Sequence, residues 1–305
     1  MKVAVSAEQP ASSLATRPTA HHNAAMAVPP PDAHPNLGRL SPQITPWVHR
    51  LLRPLVRALW RPTLTGLEQL PDGPFLLVAN HSAGIGLAEL LSFVALYAEQ
   101  AGPGRPLAGF AQSASHGLWP ISHLHRHVGT IPSTYEAAAA TLRQGVPILV
   151  FPGGDHESLQ AIWTPNRVDF GGRVGFLRIA HQHQVPLVPL GIRNGAWTAP
   201  LLLRARWLAN VLVLPRLLFG TKRWAVSLLS VGVVVALATS PLAWPWQVLL
   251  CWLCMATPLG FVPWVPCTLR FAIGAPLPPP STDWSVELAR IQSAVQALVD
   301  SGGQR

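Results

Sequence analysis

Charge is scarce in this sequence. Acidic and basic side chains together make up 11% of 305 residues, against roughly 25% in ordinary soluble domains. Acids are the scarcer kind, with 13 Asp and Glu against 22 Lys and Arg, for a net charge of +9. Mean hydropathy is +0.30, so the balance points towards lipid. The positive excess suits an anionic bilayer or an acidic substrate. Nucleic acid is excluded as the favoured partner, because the arginines sit beside tryptophans and leucines rather than in polar basic runs. Only three cysteines occur, Cys251, Cys254 and Cys267, which excludes a disulfide framework. Cys251 and Cys254 form a CxxC pair without a second ligand pair, in apolar surroundings, so they read as packing or lipid-facing thiols rather than a redox or zinc site. The first twenty residues lack a basic start followed by an apolar run, so no secretory signal is expected.

What is present divides the chain into three parts. Residues 1–40 are rich in Ala, Pro, Ser and His without an apolar period, and read as a disordered tail. Within 41–62, Trp47, Val48, Leu51, Leu52, Leu55, Val56, Leu59 and Trp60 recur at helical spacing. Arg50, Arg53, Arg57 and Arg61 fall largely on the other side. This is a basic amphipathic helix, expected to kink at Pro54 and to lie at a membrane interface, with arginines on anionic lipid. From 41 to 300 one catalytic domain is expected. Strands are predicted at 75–79, 106–110, 147–151, 186–192 and 268–273, and helices at 87–99, 134–143, 174–182 and 284–299. Alternation of this kind predicts an α/β fold, a central mixed sheet flanked by helices.

An insertion, residues 198–266, interrupts that pattern. Between Arg223 and Arg270 no residue is charged, and the apolar text breaks at Ser240-Pro241 and Trp244-Pro245-Trp246. An apolar helical hairpin is expected, either two short spans or a re-entrant loop. Basic residues flank both ends, which places the catalytic domain on the cytoplasmic side.

Two runs carry chemistry. Asn80-His81-Ser82 ends a predicted strand, and Glu89 follows on the next helix. A carboxylate on one imidazole nitrogen fixes the tautomer, leaving the other nitrogen to accept a proton. Phe151-Pro152-Gly153-Gly154-Asp155 ends another strand, and its glycines allow close backbone approach to a ligand or an oxyanion. A third feature is histidine-rich. His123, His125 and His127 alternate, so on a strand they would share one face as a metal site; loop or surface histidines are the plainer reading.

Taken jointly, these runs resemble the glycerolipid acyltransferase superfamily, the lysophosphatidic-acid-acyltransferase-like proteins. Gly129-Thr130-Ile131-Pro132 is similar to the family's second block and Pro186-Leu187-Val188-Pro189-Leu190 to its fourth. The usual family acid, five residues after the histidine, is replaced by Gly86, and the nearest acid is Glu89. A bacterial branch with a longer loop after Asn-His, a Phe-Pro-Gly-Gly-Asp block and a following Asn-Arg run is the nearer likeness, and Asn166-Arg167 fits it. The resemblance implies an O-acyltransferase with His81 and Glu89 as the catalytic pair. Asn80, Ser82, Gly129, Thr130, Phe151, Pro152, Gly153, Gly154, Asp155, Arg167 and Arg173 would line the substrate site. It implies acyl-CoA or acyl carrier protein as co-substrate, a lipid or other alcohol as acceptor, a bilayer as partner, and no metal or redox cofactor. Gly153 replaces the usual third-block acid, and Ser133 and Thr134 stand where an arginine often closes the second block, which leaves the acceptor open between phosphate-bearing and neutral. Two other classes stay in view: an inactive lipid-binding or scaffolding relative, and a metal-dependent membrane hydrolase using the histidine run.

Overall fold

In the computed structural model, residues 36–302 are described, apart from Pro103, Leu118 and Pro120. Most of the run read as a tail, with its histidines, lies outside the described residues. Its last five residues, 36–40, do not continue that reading. Gly38 donates to the Gly129 carbonyl at 3.0 Å and accepts from the Leu107 N–H at 2.7 Å, so the packed chain begins ahead of residue 41.

The first helical segment comprises α1 (Thr45–Trp47), a π-helical turn (Val48–Leu52) and α2 (Arg53–Trp60). Pro54 has no N–H to give the ladder. The wide turn lies directly before it, with the Arg53 N–H reaching the Val48 carbonyl. Val48, Val56 and Trp60 are buried, while Trp47, Leu51 and Leu55 form an exposed stripe. The arginine face is not left to lipid: Arg53 and Arg57 both pair with Glu99. The expectation of an unopposed basic face is corrected by that acid, which arrives from a helix distant in sequence.

The chain continues through β1 (Thr63–Thr65), β2 (Leu76–Ala79), α3 (Leu87–Gln100), β3 (Ala108–Ala111), α4 (Ile121–Val128), β4 (Ile131–Pro132) and α5 (Tyr135–Arg143). Next come β5 (Ile148–Val150), α6 (Gly154–Ser158), α7 (Gly175–His183), β6 (Leu187–Arg193) and α8 (Gly195–Thr198). A β-hairpin of β7 (Leu201–Ala205) and β8 (Trp224–Ser227) encloses α9 (Arg206–Leu212) and α10 (Leu214–Phe219). Then α11 (Leu228–Ala238), α12 (Trp244–Ala256), β9 (Arg270–Ile273) and α13 (Trp284–Ser301) complete the chain.

Seven strands form one sheet in the order β1-β9-β6-β2-β5-β3-β4, parallel throughout except between β6 and β9. The α/β expectation of a central mixed sheet flanked by helices therefore holds. β2 lies in the middle, and its four residues are all buried, as continuous apolar text in a parallel strand requires. Successive residues serve opposite faces. Leu76 and Val78 join Ile148, Leu177, Leu187 and Val295 on one side. Leu77 and Ala79 join Trp60, Phe93, Val188 and Phe271 on the other. Each large buried side chain contributes about 1.5–3 kcal/mol, so this two-sided core holds the ends of β2 and β5 in place.

The insertion lies between two sheet partners, β6 and β9, which pair antiparallel with Leu190 opposite Ile273 and Arg193 opposite Arg270. Its Leu201, Leu208, Trp224 and Phe261 form a small core with Leu159, which follows α6. The expected apolar hairpin is α11 and α12, but these helices are shorter than the apolar text. Part of that text is strand β8, and Ser227 then caps α11 by accepting the Ser230 N–H at 2.9 Å. With 11 and 13 residues, the helices are about 17 and 20 Å long at 1.5 Å per residue, against a hydrocarbon core of about 30 Å. Among the described residues no helix is long and apolar enough to cross a membrane, which corrects the expectation of two short spans. Val235, Trp244, Trp246 and Val248 of this hairpin are exposed. Cys251 and Cys254 lie on α12 as free, half-buried thiols.

Close packing of α13 on β6 depends on Gly191, where a Cβ would lie 2.6 Å from the Leu298 Cβ. Gly191→Ala is expected to lower stability by about 1–3 kcal/mol through overpacking. Gly73→Ala, where a Cβ meets nothing within 4 Å, should leave the denaturation midpoint nearly unchanged. Denaturant unfolding of the two variants side by side measures both effects.

Candidate active site

The site forms where β2 and β5 end. Asn80, the residue after β2, is buried, and its side chain is committed to the sheet. Its amide donates to the Ile192 carbonyl at 2.8 Å and accepts the Ile192 N–H at 2.7 Å. These two bonds tie the end of β2, through the Asn80 side chain expected at the substrate, to β6 and set the direction of the next residue.

That residue is His81. Its Nδ1 lies 2.9 Å from Glu89 Oε2. Glu89 is wholly buried in the first turn of α3. The same carboxylate accepts the Ser82 N–H at 3.2 Å and the Ser82 hydroxyl. Ser82, expected near substrate, thus serves the acid. With a carboxylate as acceptor, Nδ1 carries the proton and Nε2 holds a lone pair. Nε2 has no hydrogen-bond partner among the described residues. The His81 side chain is 12% exposed, with its ring packed on Phe151 at 4.8 Å between centroids.

The loop explains why the acid stands eight residues after the histidine. Ala83, Gly84 and Gly86 all adopt left-handed backbone angles, with φ of 58°, 71° and 61°, so the chain coils tightly before α3 starts. A Cβ at residue 86 would lie 1.8 Å from His81 Cε1. The position where the resemblance places an Asp therefore has no room for a side chain, and the carboxylate comes from the helix instead. Gly195, at the start of α8, plays a similar part on the other side. A Cβ there would lie 1.7 Å from Glu89 Oε1. Sequence reasoning missed Gly195; the Asn194-Gly195 turn signal after β6 was its only trace.

The second run turns sharply after β5. Gly154 donates its N–H to the Phe151 carbonyl at 3.1 Å, so this amide is not available to an oxyanion. The expectation for Gly154 narrows to Gly153. Arg173 straps the turn, donating to the Pro152 carbonyl at 3.2 Å and the Gly153 carbonyl at 2.7 Å, and pairing with Asp155. Arg173 and Asp155, both expected at the substrate, here hold each other and the turn. Arg167 is exposed. Its neighbour Asn166 accepts the Asn194 N–H at 2.7 Å, which fastens this run to the chain after β6.

Glu157 is the residue that sequence reasoning did not single out. It is buried on α6 and accepts two backbone N–H groups, from His81 and from Asp169, each at 3.0 Å. Burial pushes its carboxyl well above the usual range, against the pull of those two N–H groups and with the negative charges of Glu89 and Asp169 adding to the rise. The polar cluster after the two glycines was its signal, but nothing in the cluster marked which acid turns inward. Gly153 makes room for it, since a Cβ there would lie 2.3 Å from Glu157 Oε2.

The remaining expected residues lie elsewhere. Gly129 accepts from Gly38, and the Thr130 hydroxyl lies 2.8 Å from His125 Nδ1. Neither is bonded to His81 or to the Pro-Gly-Gly turn, so the structure does not bring them into this site. The histidine run is a helix, α4, not a strand or loop, and its alternation therefore spreads the rings. Of the three, His123 and His127 face each other, with Nε2 atoms 2.9 Å apart. His125 is engaged by Ser115 and Thr130. Among the described residues no group of three or more metal-ligating side chains occurs.

Gly86→Ala is expected to drive the imidazole off Glu89, because the new methyl group occupies the ring's space at a positive φ. Proton NMR of the native protein should show a strongly downfield Nδ1–H from His81, absent in His81→Ala. Its persistence in Gly86→Ala would mean that the loop yields instead of the ring.

A family model described as Acyltransferase matches residues 61–193, which run from the end of α2 to the end of β6 and include His81, Glu89 and the Pro-Gly-Gly turn. Uncharacterized proteins of Mycobacterium tuberculosis and Mycobacterium bovis are 29% identical over 169 residues, 55% of this chain and 47% of theirs. The chain thus spans about half the length of the curated relatives it matches. The solved 1-acyl-sn-glycerophosphate (LPA) acyltransferase PlsC from Thermotoga maritima is similar with a TM-score of 0.47 and 17% identity, over 85% of this chain and 80% of that one. Residues 61–193, which include the His81–Glu89 pair, are thus the part of the chain that matches the Acyltransferase family model.

Proposed function

We propose that this protein moves a fatty acyl group from a thioester, acyl-CoA or acyl carrier protein, onto the hydroxyl of a lipid-type acceptor at a membrane surface. The observation that carries this reading is the His81–Glu89 pair, 2.9 Å apart, with Nε2 unengaged beside the Pro-Gly-Gly turn. The acceptor hydroxyl donates to Nε2. Its oxygen attacks the thioester carbonyl as the proton passes to the ring, and the buried Glu89 carboxylate stabilises the imidazolium. The tetrahedral oxyanion accepts from backbone N–H groups, of which Gly153 is the candidate donor. Collapse expels the thiolate, which takes the proton back from His81, so that ester and free thiol leave and the enzyme is regenerated. No acyl-enzyme forms and no metal or redox cofactor enters.

Glu89 also bears on the inactive-relative reading, which rested on the missing acid at position 86. The acid is supplied from α3, and a wholly buried carboxylate with three donors is a costly arrangement to keep without use. The metal-hydrolase reading loses its alternating face, because α4 spreads the three rings.

Membrane attachment is supported by the exposed stripe Trp47, Leu51 and Leu55 and by the exposed Trp244, Trp246 and Val248. Short apolar helices, with Trp244 and Trp246 at the start of α12, suit burial in one leaflet. The basic residues flanking the hairpin favour the cytoplasmic side.

His81→Ala is expected to lower acyl transfer from labelled acyl-CoA into a lipid extract by about 10²–10⁴-fold, and Glu89→Gln to fall nearly as far. Equal incorporation by native protein and His81→Ala would end this reading. Attachment has its own measurement. The double substitution Trp244→Ser with Trp246→Ser should leave thermal melting unchanged and shift the protein from the floating to the pelleted fraction with phosphatidylglycerol vesicles. Undiminished flotation would assign attachment to another surface.

A further inference from the structure

One cluster of charged groups beside the site has no task in the reaction above. His156 Nε2 lies 2.8 Å from Asp169 Oδ2, and the Gly171 N–H donates to the other carboxylate oxygen at 2.9 Å. With Asp169 as acceptor, Nε2 carries the proton, and Nδ1 accepts an N–H from Arg223 at 2.6 Å. Arg204 donates to the backbone carbonyl of the same histidine. Arg204 lies on β7, and Arg223 immediately precedes β8. Two guanidiniums from the inserted hairpin therefore converge on one residue of α6.

Neither arginine has a carboxylate within ion-pair distance among the described residues. A guanidinium offers five N–H donors, and each of these directs one at His156. Both side chains are half-buried. Burial and the neighbouring Arg223 charge lower the Arg204 pKa, with Asp169 and Asp155 opposing at longer range. A mere strap between hairpin and turn needs one arginine; a second like charge beside it adds repulsion that an anion between them would remove. Guanidinium forks match phosphate oxygens in geometry as well as charge.

The location adds a direction. His156 and Glu157 are adjacent on α6, and Glu157 bonds the His81 backbone. The arginine pair therefore holds the residue next to the one that anchors the backbone of the proposed base. On its other side, β8 runs straight into apolar α11. An amphiphile with its chain along the hairpin would bring its head group to this point.

We propose that Arg204 and Arg223 form a phosphate-binding subsite for an amphiphilic substrate. It rests on the acyl-transfer reading for what the substrate is, but the binding itself is measurable without turnover. The phosphate has two sources, the acceptor lipid or the coenzyme A portion of the donor. Isothermal titration of the full chain in detergent micelles, with lysophosphatidic acid, monoacylglycerol of the same chain, and coenzyme A as probes, separates them. In Arg204→Gln/Arg223→Gln, affinity for one phosphate-bearing probe should fall about tenfold or more, while monoacylglycerol binding stays within about twofold. The probe that suffers identifies the source. Arg206→Gln, an exposed charge on the same insertion, should bind as the native protein does. Arg223→Gln alone, which removes only the contact to the imidazole, carries the test should the double variant fail to fold. Unchanged affinity for both phosphate-bearing probes, or none in the native protein, overturns the subsite. Arginine-dependent binding without any acyl transfer would sink the proposed reaction and leave the subsite standing.

Discussion

The site depends on one buried negative charge. Glu89 is removed from solvent entirely, and an isolated carboxylate in that position would cost several kcal/mol. Three donors meet it: His81 Nδ1, the Ser82 N–H and the Ser82 hydroxyl. Its place in the first turn of α3 adds the favourable end of the helix dipole. These demands dictate the surroundings. Gly86 and Gly195 stand on two sides of the pair because any side chain there would collide with ring or carboxylate. The coiled loop exists so that donor and acceptor meet within eight residues. Stability and chemistry coincide here, since the bonds that make the buried acid tolerable also fix the histidine tautomer.

A second buried acid extends the arrangement without duplicating it. Glu157 holds the backbone of His81 and of Asp169, whereas Glu89 holds the ring. Burial favours the protonated form of Glu157. The folded protein thus keeps a proton that the unfolded chain releases as pH rises past the ordinary glutamate value of 4.5. The contribution of this group to stability is therefore fully present below that value and is lost as pH climbs through the raised one. Its two backbone bonds connect the β2 end, the turn after β5 and the run around Asp169. The three separated blocks of sequence are joined by this one side chain.

How much was legible follows from where each signal arises. β2, β5 and β6 were legible because parallel strands covered on both faces must be apolar throughout. The His81–Glu89 pairing was legible because few residue types can tune an imidazole, and only one acid lay close. The Ile192 contacts of Asn80 were not legible, because an asparagine at a strand end suits a ligand and a neighbouring backbone equally. The pairing of Arg173 with Asp155 was not legible for a related reason, since a charge pair beside a glycine turn looks alike whether it binds substrate or secures the turn. In the insertion, the apolar text concealed strand β8, because neither strand nor helix period survives where nearly every residue is hydrophobic. The partners of the arginines in α2 lay beyond local reading, because Glu99 follows them by more than forty positions.

The insertion joins two properties that the sequence kept apart. Its apolar helices and its arginines read as separate features, one a lipid contact and the other a flank of positive charge. In the fold, the arginines turn inward to His156, while Trp244, Trp246 and Val248 remain outward. The insertion also enters and leaves through β6 and β9, adjacent antiparallel strands of the main sheet. Any displacement of the hairpin by a lipid surface would act at strand ends whose neighbour, β2, leads directly to His81. A surface element mounted on loops alone would lack that mechanical link. Placed between two sheet partners, the insertion is tied through β6 and its neighbour β2 to the strand end that carries His81.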